Sequence, residues 1–340
     1  MLISVCMVAY NEEKTIHEIL ADITAQTHPH SSTELIFIDN NSKDATLSLL
    51  EQFRSEHIAE YHDIIVLHND TSVLSSGLNA GIRAYTGEAF VRIDAHASIA
   101  PDFLEETVAC LEGTHGHEPE CVCGGSRPTY AVDDTARARM LLSAEQSRFG
   151  ASAAGYRNER ERGYVDSIFH AAYKREVIEK VGFFNEELCR TEDNEYNRRV
   201  QEAGYRICYE PRIRSRQQIR PTLGKMLKQK NANGYWVGYT LGCCPSCISL
   251  FHLVPMCFLL ASIACIALSF LGLGIVGAVM WGLYGLCDIA FTVKAIIDAE
   301  KPGAYHLLLP LIFPLMHIVY GVGTIGGIFK VLFCRKKKEA

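Results

Sequence analysis

Apolar residues arrive in short runs along the first hundred positions. Leu2 to Ala9 is rich in β-branched side chains; Glu34 to Ile38, Ile64 to Leu67 and Ala89 to Ile93 follow. Short apolar runs bounded by polar turns predict buried strands. Between them the spacing becomes helical. Ile16, Ile19, Leu20 and Ile23 share one face of a helix predicted over 14–26. Helices are also predicted over 45–53, after the turn Asp39-Asn40-Asn41-Ser42-Lys43-Asp44 with its N-cap, and over 78–84. Strand and helix alternate, so this part is predicted to be α/β with a mainly parallel sheet.

The pattern continues more loosely. Tyr164 to Tyr173 reads as a strand with small residues, and 174–181 as a short helix. Tyr196, Val200 and Ala203 then fall at helical spacing, and Gly204 ends that helix.

From Ile248 the character changes. Ile248 to Ile297 is an almost continuous apolar run broken by Gly272 and Gly274. A spanning helix needs roughly 20 apolar residues, so the run predicts spans over about 248–270 and 273–296, with a third over about 305–331. Pro310, Pro314 and the glycines of 321–327 give the third segment an irregular pattern, compatible with a broken, re-entrant or interfacial course. The predicted organisation is a domain over 1–214, a basic and aromatic segment over 215–245, membrane helices over 246–334 and a basic tail over 335–340. Arg216, Arg220, Lys225, Lys228 and Lys230 followed by Tyr235 and Trp236 predict that the middle segment lies at an anionic membrane surface.

A net charge of -6 argues against a nucleic-acid partner. The opening residues lack a basic n-region, so the first domain is expected in the cytoplasm and the thirteen cysteines as reduced thiols. Cys121-Val122-Cys123 and Cys243-Cys244-Pro245-Ser246-Cys247 lack the paired ligands of a zinc site.

The chemistry concentrates where strands end. Asn11-Glu12-Glu13, Asp39-Asn40-Asn41 and Asp94-Ala95-His96 each follow a predicted strand. Ligands of such sheets bind outside the carboxyl ends of the strands, so three clusters there predict a cleft. No Gly-x-Gly-x-x-Gly follows the first strand and no P-loop is present. A divalent cation, Mg²⁺ or Mn²⁺, held by Asp94 would bridge a ligand's phosphates. His96 is a second metal ligand or a hydrogen-bond donor to phosphate.

The run from Ile3 through Tyr10-Asn11-Glu12-Glu13, the Asp39 turn, Gly77-Leu78-Asn79-Ala80-Gly81-Ile82-Arg83 and Val91-Arg92-Ile93-Asp94-Ala95-His96 resembles a family-2 glycosyltransferase of the GT-A fold, over about residues 2–212. Asp-Ala-His in place of Asp-x-Asp, with an apolar tail, is similar to the subgroup of succinoglycan-chain glucosyltransferases. The resemblance implies that Asp39 binds the donor's base or ribose, and that Ala9, Tyr10, Asn11 and Glu12 line the same pocket. It implies that Asp94 and His96 face the metal, and that Asn79 and Arg83 face the donor or brace the loop. Gly182-Phe183-Phe184-Asn185-Glu186 and Glu192-Asp193 match the phrase before the helix carrying the general base, so Asp193 is the implied base. Glu192, Arg216 and Arg220 are expected to support the acceptor.

The implied function is a membrane-anchored, inverting, metal-dependent hexosyltransferase. It moves glucose from UDP-glucose to a polyprenyl-diphosphate-linked glycan for exopolysaccharide or capsule, at the cytoplasmic face of a bacterial inner membrane. Two alternatives stand: a polyprenyl-phosphate sugar synthase, and a non-catalytic membrane protein that binds nucleotide sugars or glycans. A two-carboxylate hydrolase is disfavoured, because adjacent Glu192 and Asp193 point apart on a helix.

Overall fold

The computed structural model describes residues 1–150 and 161–334; the basic tail lies outside them. The described residues form two compact units, 1–128 with 161–217, and 129–150 with 218–334. In chain order the elements are β1 (Ile3–Ala9), α1 (Ile16–Thr24), β2 (Thr33–Asp39), α2 (Thr46–His57), β3 (Asp63–His68), α3 (Leu74–Ala84), β4 (Ala89–Asp94), β5 (Ala97–Ile99) and α4 (Phe103–Glu112). There follow β6 (Val122–Ser126), β7 (Thr129–Tyr130), α5 (Ala136–Gln146), β8 (Gly163–Val165), β9 (Ala172–Lys174), α6 (Arg175–Val181), α7 (Glu192–Glu202) and β10 (Ile207–Gln218). Four helices close the chain: α8 (Leu223–Cys243), α9 (Val254–Phe270), α10 (Gly274–Asp298) and α11 (Leu309–Cys334).

In the first unit the sheet order is β3-β2-β1-β4-β9-β6-β10-β5, with β8 also on β10. β1 to β4 pair parallel. They are covered on both faces, which is why they read as apolar runs rather than alternations. One face packs Ile16, Ile19 and Ile23 of α1 on Ile3, Val5 and Met7. The other packs Leu78, Val177, Tyr196 and Val200 on Cys6, Ile36 and Phe90. Each such fully buried side chain stabilises by about 1.5–3 kcal/mol. Beyond β4 the sheet is mixed: β9 runs antiparallel to β4 and β6, and β10 parallel to β6.

The strand order reverses between β1 and β4, since β2 and β3 lie on one side of β1 and β4 on the other. A crevice at such a reversal is where open α/β sheets bind ligands. The stretch 164–173, predicted as one strand, is two. Val165 pairs with Ile207 on β10, whereas Ala172 pairs with Val91 and Cys123. Residues 166–170 leave the ladder between those partners, and Ala171 rejoins it by accepting the Arg92 N–H (3.0 Å).

In the second unit three helices are long and apolar enough to cross a membrane: Leu250–Phe270, Gly274–Asp298 and Ala304–Phe333. They match the three predicted spans. Ile263, Ile266, Leu283, Leu286 and Ile289 are exposed on α9 and α10, an apolar surface suited to hydrocarbon. α11 is one continuous helix, not a broken one. Pro310 lies in its first turn, where an N–H has no partner to lose, and Pro314 removes a single bond early in the helix. The glycines explain the rest of the irregular pattern. A Cβ on Gly327 would overlap the Tyr235 carbonyl oxygen of α8, and one on Gly238 the Thr324 carbonyl oxygen. Small residues four apart let two helices meet at backbone distance. α8 also departs from a purely interfacial helix: Lys230 is buried, its Nζ 2.9 Å from Glu145 Oε2 of α5.

Candidate active site

β1, β2 and β4 end together. Ala9 is level with Asp39, and Val8 with Asp94. Asp94 is the last residue of β4 and 9% exposed. Arg92 lies two residues earlier, on the same face of the strand. Its Nη2 stands 3.5 Å from Asp94 Oδ1 and 3.0 Å from Glu192 Oε1 at the start of α7. The structure therefore joins the predicted metal carboxylate and the predicted acceptor-side helix through one guanidinium that sequence reasoning did not single out. Its signal was available: a charged residue inside an otherwise apolar strand.

The electrostatics follow from burial and these partners. Burial alone would raise the Asp94 carboxyl. Arg92 foremost, then His170, His96 and Arg127, pull it down to about 2, so it is a carboxylate at every ordinary pH. Glu192 goes the other way. Burial raises it to about 7, with Arg92 opposing and Asp193 adding to the rise.

The loops after β1 and β2 are stitched together. The Asn11 N–H donates to Ser42 Oγ (3.0 Å), the Lys43 N–H to Asn11 Oδ1 (2.8 Å) and the Glu12 N–H to Thr46 Oγ1 (2.8 Å). Asn11 and Asn41 have φ of 55° and 63°, a region that asparagine tolerates. Glu12 Oε1 reaches His96 Nδ1 at 3.3 Å, closing the gap between β1 and β4. Asp39 is buried and meets the Ser42 N–H (3.3 Å) and His68 Nδ1 (2.8 Å). Ala9 is buried and Tyr10 is exposed.

The other predicted residues lie as follows. Asn79 is buried and exchanges hydrogen bonds with the Phe184 backbone, donating to its carbonyl (2.9 Å) and accepting from its N–H (2.8 Å). Arg83 lies over the Phe183 ring (4.8 Å) and 3.9 Å from Glu186. Both brace the segment before α7. Asp193 is half-buried in the first turn of α7. The preceding Thr191 has φ 64°, a left-handed conformation that is costly for a β-branched residue. Arg216 is exposed on β10 opposite Ser98, just past His96. Arg220 belongs to the second unit.

Three further residues surround Asp94. The Phe169 ring meets two guanidiniums, 5.2 Å from that of Arg92 and 3.6 Å from that of Arg127. Arg127 also hydrogen-bonds Gln217. His170 Nδ1 is 3.0 Å from Ser215 Oγ, and burial pushes this imidazole down to about 3, so it is neutral. Phe169 and His170 reach the site because 166–170 leaves the ladder.

Among the described residues no three His, Cys, Asp or Glu side chains gather as a metal site. Among the described residues the site offers the ionised Asp94 carboxylate and the partly exposed His96 imidazole, with Glu12 beside it. That donor set fits Mg²⁺ or Mn²⁺, which keep most positions for water and phosphate oxygens.

Known proteins share this sequence pattern and fold. The sequence model described as "Glycosyl transferase family 2" matches residues 4–182, more than half of the chain. The "Dolichyl N-acetyl-alpha-D-glucosaminyl phosphate 3-beta-D-2,3-diacetamido-2,3-dideoxy-beta-D-glucuronosyltransferase" of Methanococcus voltae is 23% identical over 331 residues, 96% of this chain and 97% of that protein. The solved mannosyltransferase PcManGT of Pyrobaculum calidifontis, in complex with GDP-Man and Mn²⁺, superposes with a TM-score of 0.59 at 17% identity, over 98% of this chain and 88% of that one. This chain spans only 40% of a solved Staphylococcus aureus TarS chain (18% identity, TM-score 0.49).

Proposed function

The chain belongs to glycosyl transferase family 2, and from that premise we propose that it transfers a sugar, with inversion, from a nucleotide sugar to a lipid-linked glycan at a membrane surface. The observation that carries this reading is the Asp94–Arg92–Glu192 link, which ties the donor carboxylate to the helix bearing the base. Asp193 follows Glu192 and is half-buried, open to an acceptor hydroxyl. A carboxylate within hydrogen-bond reach takes the proton as the hydroxyl attacks the anomeric carbon, an effect of about 10²–10⁴-fold. One base and one leaving group give single displacement. Mg²⁺ or Mn²⁺ on Asp94 and His96 would neutralise charge on the departing nucleoside diphosphate. Asp39, with the stitched loops of Tyr10 to Glu12 beside it, holds the nucleoside.

The Methanococcus relative, matched over nearly all of both chains, is named for a dolichyl-phosphate-linked sugar as acceptor. That supports a lipid-linked acceptor here, as do the three apolar helices. We assign UDP-glucose as donor and a polyprenyl-diphosphate-linked glycan as acceptor, for an exopolysaccharide or capsule unit. The site then faces the cytoplasm of a bacterial inner membrane.

The test is calorimetric binding of UDP-glucose, UDP-GlcNAc and GDP-mannose to the full-length protein in detergent, with and without Mn²⁺ or Mg²⁺, beside Asp94→Ala. Metal-dependent binding of UDP-glucose, lost in the variant, is expected. Binding of another sugar nucleotide replaces the donor assignment. Binding of none would remove the transferase reading in favour of a non-catalytic glycan binder.

A further inference from the structure

Arg92 and Glu192 take no part in the proton or sugar transfer described above, yet at 3% and 4% side-chain exposure they are as buried as any charged pair among the described residues. One nitrogen, Arg92 Nη2, serves two carboxylates, and the nearer is Glu192: 3.0 Å against 3.5 Å for Asp94. The guanidinium is shut off from water: it lies over the Phe169 ring, 5.2 Å from its centroid, and Arg92 is buried. Its charge is therefore divided between the two carboxylates. Whatever Glu192 does not hold falls on Asp94, in competition with a cation approaching the same oxygens.

We propose that Glu192 is a positioning residue for the cation site: by holding the Arg92 guanidinium, it leaves the Asp94 carboxylate free to take a divalent cation. The inference rests on the function proposed above, and extends it across the site. A carboxylate on the acceptor-side helix sets how strongly the donor-side carboxylate binds metal. At 3–4 Å in a buried setting a unit charge acts strongly, and coupling between neighbouring sites is commonly about 5-fold to 150-fold.

The experiment is Mn²⁺ binding by the full-length protein in detergent with UDP-glucose present, at a pH well above 7 where Glu192 is ionised, read from the loss of the free-ion electron paramagnetic resonance signal. Glu192→Gln keeps the shape and removes the charge. Half-saturating Mn²⁺ is expected to rise about fivefold or more. Glu202→Gln, at the exposed end of α7, should leave it unchanged. In an Arg92→Met background, Glu192→Gln should add no further shift, because the competitor is gone. Circular dichroism of each variant separates these shifts from misfolding. Mn²⁺ binding that depends on Asp94 but is unmoved by Glu192→Gln would overturn the inference alone. Mn²⁺ binding unaffected by Asp94→Asn would overturn the inference together with the metal reading of the site.

Discussion

Arg92 on β4 and Glu192 on α7 form an ion pair of 3.0 Å with neither side chain more than 4% exposed. Removing Glu192 leaves the buried Arg92 charge with Asp94 alone. Glu192→Leu is expected to destabilise the protein by about 3–5 kcal/mol, whereas Glu192→Gln, which still accepts a hydrogen bond, should cost less. Thermal unfolding in detergent measures both. Equal and small losses would mean that the pair is solvated in solution.

Asp193→Asn tests the proposed base apart from its buried neighbour. The transfer rate is expected to fall about 10²- to 10⁴-fold, while the dissociation constant for the donor stays at the parent value. Single-turnover transfer to a lipid-linked acceptor and calorimetry provide the two readings. Parent-like turnover would remove Asp193 as base.

Thr191 holds a left-handed φ of 64° directly before Glu192 and Asp193. Glycine adopts that conformation freely, so Thr191→Gly should relieve strain of about 1–2 kcal/mol. The melting temperature is then expected to hold or rise while turnover falls, because freedom is added at the joint that aims the proposed base. A fall in both would mean that the side chain's contacts outweigh the strain.

Much of this site was legible in the sequence, for a physical reason. Strands buried on both faces must be apolar along their length, so the polar residues that end them, such as Asp39 and Asp94, mark the edge where open α/β sheets bind ligands. Asn79 was open between facing the donor and bracing a loop; its exchange of hydrogen bonds with Phe184 supplies the brace. The second half hid more. β9 is three residues long and enters the sheet between β4 and β6, a long-range insertion that no local pattern encodes. Phe169 and His170 are at the site only because of it. Lys230 read as a surface cation since its partner Glu145 lies on a distant helix. The glycines of 321–327 read as irregularity, because close contact with α8 is invisible until α8 is in place.

That contact gives a graded test. Gly327→Ala places a methyl on the Tyr235 carbonyl oxygen, while Gly282→Ala on α10 meets nothing within 4 Å. The first is expected to cost about 1–3 kcal/mol and to lower the melting temperature in detergent. The second should be neutral. Equal melting temperatures would show that α8 does not pack on α11 through these residues.

His170 sets an acid limit. Burial lowers its imidazole from an ordinary value of 6.5 to about 3; Asp94 opposes the shift, and Arg127, Arg92 and His96 reinforce it. Between those two values the unfolded chain binds a proton that the folded protein refuses. The stability contribution is whole above pH 6.5 and is lost as pH falls towards 3. Glu192 runs in the opposite sense. Raised by burial to about 7 from 4.5, it binds a proton more readily when folded, so its contribution is present below pH 4.5 and lost as pH rises through 7. The two slopes oppose each other in mildly acid solution, so the parent's own pH profile is flattened there. His170→Gln isolates one of them, since glutamine can still meet Ser215 Oγ and does not titrate. Relative to this variant the parent is expected to lose about 2 kcal/mol between pH 7 and pH 5, measured as a growing difference in melting temperature. A difference that stays constant over that range would show that His170 accepts a proton in the folded protein, and that the ground beneath Asp94 is open to water.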